Sequence, residues 1–139
     1  MTDQDHGGAM RRQRLVFWSR VGAVLASVIA LGILYGTLHP KPPGPPLYGN
    51  LDKVVHFLAF FTLVFVAVLT RPGRWRWMLP LAVAFGGVIE LIQPRFGRQA
   101  DWGDFWANNA GAVSGAVLGV VLGRVLIRHL AARRALRAG

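Results

Sequence analysis

Apolar residues in this chain run on without the polar interruptions a soluble helix carries. Val21 to Leu38 is an uncharged run of 18 residues, and Val54 to Thr70 is one of 17 broken only by His56. Trp75 to Ile92 adds 18 residues with Arg76 and Glu90 near its ends, and Phe105 to Ile127 adds 23 with Arg124 close to its end. Crossing a bilayer core about 30 Å thick takes roughly 20 helical residues. A helix in lipid satisfies its own backbone hydrogen bonds, so the pattern predicts an all-α, membrane-spanning four-helix bundle. A soluble bundle needs a polar stripe on every helix. Ala110 to Gly123 offers only Ser114, which excludes that reading. The first run also exceeds the roughly 7–15 apolar residues of a signal peptide, and no A-x-A-like cleavage site follows it.

The runs divide the chain into a basic tail (1–14), one four-span membrane domain (15–127) and an Arg-rich tail (128–139), with residues 1–10 and 131–139 expected to fray. Arg71 to Arg74, with Pro72 and Gly73, reads as a tight turn between the second and third spans. His39 to Asn50 holds five prolines and reads as a stiff, polyproline-like spacer.

Charge orients the bundle. Of 16 Lys and Arg, those at positions 11, 12, 14, 20, 71, 74, 76, 124, 128, 133, 134 and 137 lie on the side of the N-terminus. Lys41, Lys53, Arg95 and Arg98 remain on the other side, with Asp52, Glu90, Asp101 and Asp104. The positive-inside rule then makes both termini cytoplasmic. The net charge of +10 therefore marks the cytoplasmic face and its anionic lipids, and calls for no nucleic acid. Trp18, Trp75 and Trp77 fall at the inner interface, and Tyr48, Trp102 and Trp106 at the outer one, as an aromatic belt requires.

The composition agrees: 53% hydrophobic and 16% charged residues, against roughly 25% charged in a soluble domain. With no cysteine among 139 residues, disulfides and cysteine-based zinc or redox sites are excluded. No Walker loop, dinucleotide fingerprint, nucleophile elbow or H-E-x-x-H helix is present. No cofactor is expected. One His with scattered carboxylates (Asp52, Glu90, Asp101, Asp104) is a weak metal signal, and no metal site is assigned from it.

Polar groups inside a bilayer are costly unless paired, so each is a site candidate. Asp52 and His56 are spaced to share a face of the second span, with Lys53 beside them. Gly86, Glu90 and Gln93 share one near the end of the third, and Asp104, Asn108 and Gly111 share one at the start of the fourth. The topology brings all three faces to the outer end of the bundle. There they predict one polar pocket formed by Asp52, Lys53, His56, Glu90, Gln93, Arg98, Asp104 and Asn108. Arg98 or His56 is the expected partner of the Glu90 carboxylate, and an N-cap role competes for Asp104. Below the pocket, Gly111, Gly115, Gly119 and Gly123 form a small-residue stripe for close helix packing, within the chain or against a second copy.

The pattern Asp52-Lys53-x-x-His56-Phe57, then Glu90-x-x-Gln93, Arg98, Asp104, Asn108, Gly111 and Gly115 resembles the VanZ-like family, named for a teicoplanin-resistance protein. The likeness covers Leu51 to about Gly123. It implies a multi-pass bacterial plasma-membrane protein linked to the cell envelope and to glycopeptide resistance. An aromatic residue, often Tyr, commonly follows the family's His-Phe pair by three or four positions. Phe60 and Phe61 stand there, without a hydroxyl.

Three functions are compatible with the pocket. The preferred one binds an envelope molecule, a lipid-linked headgroup or a glycopeptide, with Arg98 and Lys53 meeting anionic groups. The second is an intramembrane hydrolase or transferase acting on a lipid-linked substrate, with His56 and Glu90 as acid and base and Arg98 stabilising developing charge. The third is a structural interhelical polar network.

Overall fold

The computed structural model describes residues 3–39 and 51–138. The Pro-rich segment at 40–50 and Tyr48 within it lie outside the described residues. The chain forms α1 (Asp3–Leu38), α2 (Leu51–Thr70), α3 (Trp75–Ile92) and α4 (Trp102–Ala138), with no strand among the described residues. All four helices are long and apolar enough to cross a membrane, over Leu15–Leu38, Leu51–Thr70, Pro72–Phe96 and Trp102–Arg133.

Local sequence sets the breaks. Pro72 disfavours helical backbone at Arg71, which is extended at φ −152° and ψ 91°, and a single 3-10 turn (Pro72–Arg74) leads directly into α3. A second 3-10 turn, Gln93–Phe96, follows α3 and is closed by Gly97 at φ +71°, the left-handed conformation glycine tolerates best. Over the described residues both tails are helical. α1 begins at Asp3, and α4 continues to Ala138 through a stretch beyond Arg124 that is rich in Ala, Leu and Arg and has no Pro or Gly until Gly139.

The tightest seam joins α2 to α4. A β-carbon at Gly111 would collide with the carbonyl oxygen of Phe57, and one at Gly115 with that of Phe61. At Gly119 it would lie 3.0 Å from Cβ of Val68, and at Gly123 2.8 Å from the Leu69 carbonyl oxygen. The glycine stripe is thus filled by α2 of the same chain, in the manner of small-residue interfaces in lipid. Phe60, Val64 and Val68 of α2 are buried in the core with Ile89 of α3 and Ala112 and Ala116 of α4. α1 packs at the side, burying Ala26 and Ile33. Its far face exposes Val24, Val28, Leu31 and Tyr35, and α4 similarly exposes Val113, Val117 and Val121. Such apolar belts are unfavourable in water and natural against acyl chains. The interface tryptophans Trp18, Trp77, Trp102 and Trp106 are exposed near the span ends.

Arg74 ties the end of the bundle that carries the 3-10 turn Pro72–Arg74. Its Nη2 donates to the carbonyl oxygen (2.8 Å) and the hydroxyl (2.9 Å) of Ser19 on α1, and its Nη1 to the Ala67 carbonyl at 3.4 Å.

Candidate functional site

The polar groups gather at the opposite end, where α2 begins, α3 ends and α4 begins. Asp101 precedes the first residue of α4, and its Oδ1 accepts the Gly103 N–H at 2.7 Å, the bond of an N-cap. The cap therefore belongs to Asp101 and leaves the Asp104 carboxylate, one turn in, facing α2. There Lys53 Nζ donates to Asp101 Oδ2 at 2.6 Å and to Asp104 Oδ1 at 3.2 Å. The Lys53 ammonium, followed by the Gly103 N–H, holds the Asp101 carboxyl below its ordinary range. One turn into α2, His56 sits between two α4 side chains. Its Nδ1 is 3.1 Å from Asn108 Oδ1 and its Nε2 is 3.5 Å from Asp104 Oδ2. A carbonyl oxygen only accepts, so Nδ1 is the donor to Asn108, and Nε2 is the nitrogen turned to the carboxylate. His56, Asp104 and Asn108 are all buried.

Glu90 reaches this group from α3. Its Oε2 accepts the backbone N–H of Asp101 at 3.0 Å, while its Oε1 is buried with no hydrogen-bond partner. Gln93, 1% exposed, donates from Nε2 to the Thr37 carbonyl of α1 at 3.3 Å, and Arg98 Nη1 donates to the Gly36 carbonyl at 3.3 Å. The loop after α3 thereby holds the end of α1. A side-chain oxygen of Asp52, a ring nitrogen of His56 and an oxygen of Asp104 lie within 4.8 Å of one another.

A cavity of about 550 Å³ opens between α1 and α2. Asp52, His56, Arg98, Thr37 and His39 line its polar end, and Ile29, Ile33, Val55, Ala59 and Phe60 its apolar remainder. Gly32 and Gly36 form the α1 wall, where a β-carbon would meet nothing within 4 Å. A second cavity of about 280 Å³, bounded mainly by Ala, Leu and Met side chains, lies between α1, α2 and α3 towards Arg74.

The family model VanZ/LLP1 matches residues 6–123, which includes every group described above. The chain belongs to the VanZ/LLP1 family. No curated protein and no solved structure matches it. With four apolar helices it is a multi-pass membrane protein of that family.

In this VanZ/LLP1 chain the expected polar residues are brought to one end, but in two layers. Asp52, His56 and Arg98 face the cavity. Lys53, Glu90, Gln93, Asp104 and Asn108 stand behind it in interhelical contacts, and His56 belongs to both layers. Arg98 does not partner Glu90 as expected, because its guanidinium turns to α1 while the Asp101 amide takes that carboxylate. Sequence reasoning placed Asp101 on the outer side but not in the pocket, and it left out the contribution of α1. An Asp immediately before a Trp-Gly-Asp helix start is a readable cap signal. Gly32 and Gly36, spaced by four, hint at a small-residue face on α1.

Proposed function

We propose that the protein holds an amphiphilic cell-envelope lipid, its anionic head at the Arg98 end of the cavity between α1 and α2 and its chain against Ile29, Ile33, Val55 and Phe60. The graded lining of that cavity carries the reading. Its volume of about 550 Å³ falls in the roughly 300–1,000 Å³ range of ligand sites. A glycopeptide, with polar groups over much of its surface, would leave many of them unpaired against the apolar part of such a wall. A lipid-linked headgroup matches both halves. Arg98 supplies a charged fork suited to phosphate or carboxylate, and Asp52 and Thr37 offer hydrogen bonds to sugar or amide groups. With the basic residues clustered at the far end, the positive-inside rule supports an outward-facing cavity in a bacterial plasma membrane.

Binding is favoured over catalysis by His56. Both of its ring nitrogens are turned to α4 side chains, Nδ1 to Asn108 and Nε2 to Asp104, which engages the imidazole between helices. An altered susceptibility to glycopeptides on deletion of the gene would be a downstream effect of holding such a lipid.

The test is lipidomic mass spectrometry on protein extracted with its surrounding bilayer. One anionic lipid class should be enriched over bulk membrane, and Gly36→Leu, which fills the cavity, and Arg98→Ala should both abolish the enrichment. A bulk-like profile for the parent, or unchanged enrichment in both variants, would sink the proposal. Chemical conversion of the retained lipid by the parent alone would establish the hydrolase or transferase in its place.

A further inference from the structure

We infer that the groove between α1 and α3 at the basic end of the bundle binds one anionic glycerophospholipid of the adjoining leaflet, its phosphate at Arg74 and an acyl chain in the cavity of about 280 Å³. This site lies at the other end from the α1–α2 cavity and stands whether or not that cavity holds a lipid. Ala26, Leu63, Ala67, Met78 and Ala82 are buried and form its floor. Ala23, Ser27, Trp77 and Leu81 are exposed and form its rim. The rim belongs to two membrane-spanning helices, so the groove opens sideways onto acyl chains. Alanines at 23, 26 and 30 keep the α1 wall shallow enough for a chain to enter. An apolar groove alone would take any chain. Arg74 makes this one selective.

Arg74 is half-buried at the cavity's end. Its hydrogen bonds run to neutral oxygens only, those of Ser19, Ala67 and Thr70. Both bonds from Nη1 are 3.4 Å long, beyond the usual range, and Nε–H makes none among the described residues. The chain supplies no counter-ion here. Of its six acids only Asp3 and Asp5 lie on this side. α1 is helical from Asp3 onward, which sets Asp5 roughly 21 Å before Ser19 along the axis, at about 1.5 Å per residue. The ion pairs among the described residues lie at the opposite end. The local charge is instead reinforced. Arg71, whose carbonyl accepts the Arg74 N–H at 2.9 Å, is exposed beside it, as are Arg20 and Arg76. α3 also starts here with no side-chain cap and no acid in its first turn, so the positive end of its dipole adds to the field. A guanidinium at the edge of hydrocarbon is costly without a partner. A phosphate supplies that partner in the geometry the guanidinium fork prefers. A choline headgroup would bring a second cation into this field, so the site favours a net-anionic head such as phosphatidylglycerol.

Native mass spectrometry of the protein in neutral detergent, titrated with dioleoylphosphatidylglycerol, reads discrete lipid adducts. The parent should hold one adduct about tenfold more tightly than the matching phosphatidylcholine. Ala23→Phe, which fills the groove from its exposed rim, should abolish that adduct. Arg71→Gln should weaken it about fivefold. Arg128→Ala, exposed farther along α4, and Arg98→Ala, at the α1–α2 cavity, should leave it unchanged. A phosphatidylglycerol carrying a photoreactive diazirine in its acyl chain tests the parent alone, so no variant has to fold. It should label residues 77–85 of α3. Label on residues 52–59 of α2 instead would seat the lipid in the α1–α2 cavity, overturning this site while sparing that one. Parent-like binding by Ala23→Phe, equal losses in Arg71→Gln and Arg128→Ala, or no preference over phosphatidylcholine overturns it as well.

Discussion

Glycines four residues apart do opposite things on the two sides of α2. On α4, Gly111 and Gly115 let the backbone of α2 come so close that a methyl group would strike its carbonyl oxygens. On α1, Gly32 and Gly36 face open space and make a cavity wall. The difference lies in what flanks them. Around the α4 stripe stand Ala112 and Ala116, small enough for two helices to close on each other. Around Gly32 and Gly36 stand Ile29, Ile33 and Thr37, whose larger side chains hold α1 away from α2 and leave the glycine positions empty. One seam therefore supplies rigidity and the other room. The polar residues are distributed accordingly, with Lys53, Asp104 and Asn108 on the α2–α4 seam and the cavity-lining Asp52 and Arg98 towards α1.

Substitutions should separate the two seams most sharply at the glycines themselves. Gly111→Val drives side-chain atoms into the Phe57 backbone, which cannot step aside as a flexible side chain would. We expect a loss above the roughly 1–3 kcal/mol usual for overpacking, read as failure to recover monodisperse protein or a collapse of its melting temperature in detergent. Gly32→Ala meets nothing and gains helix propensity, so it should be neutral or stabilising by about 0.5–1 kcal/mol. Equal losses in the two variants would dissolve the contrast.

At the polar end of the same tight seam, Asp104→Ala should rank next. It leaves the buried His56 without its carboxylate and Lys53 with Asp101 alone. Removing one partner of a fully buried ion pair costs about 3–5 kcal/mol. Lys53 is 39% exposed and keeps its second acceptor, so about 2 kcal/mol is the expectation. Parallel unfolding curves of Asp104→Ala and of Asp52→Ala, which sits on the looser seam, make the check. Asp52→Ala should lose less.

Most of the frame was legible in the residues. Uncharged runs of 17 to 23 residues have few alternatives to spanning a bilayer, and the four helices follow them. The meeting of Asp52, His56 and Asp104 at one end follows from counting crossings, because two spans, α2 and α3, separate the start of α2 from the start of α4 and so return the chain to the same side. Partner choice was not legible. Glu90 bonds to a backbone amide, and which amide it reaches depends on the path of the loop through Gly97 and not on any side-chain pattern. Arg98 was drawn towards Glu90 by charge, yet a carbonyl at the end of α1 was nearer to hand. A glycine's spacing likewise says nothing of whether its neighbours will hold a partner helix off.

α1 is the helix with least burial, so its ties should be individually measurable. Arg74→Ala removes both bonds to Ser19 at the end away from the site. Hydrogen bonds between membrane helices average about 0.6 kcal/mol and reach about 1.7, so a loss of about 1 kcal/mol is expected. Faster proteolysis or crosslinking changes at α1, with α2 and α4 unaffected, would show that this seam alone has loosened. A loss spread evenly over all four helices would contradict the independence of the seams.

The smallest effect concerns pH, and it probes the hinge between the two seams at Asp101. Hydrogen bonds from Lys53 and then Gly103 depress this carboxyl below its ordinary value of 3.8. A group depressed in the folded state binds its proton more readily when unfolded, so stability rises with pH between the two values. The contribution is complete above the unfolded value and disappears as pH falls through the lower folded one. Since the Asp101 side chain is 52% exposed, solvent and salt keep it within the roughly 0–1 kcal/mol of surface pairs. Melting temperatures of the parent should therefore fall between about pH 5 and pH 3 by more than those of Asp101→Asn. That excess should shrink in high salt. An identical fall in the two proteins would mean that the ion pair with Lys53 is too weak in solution to secure the start of α4 to α2, leaving the Gly103 cap and the Glu90 bond to fix that helix.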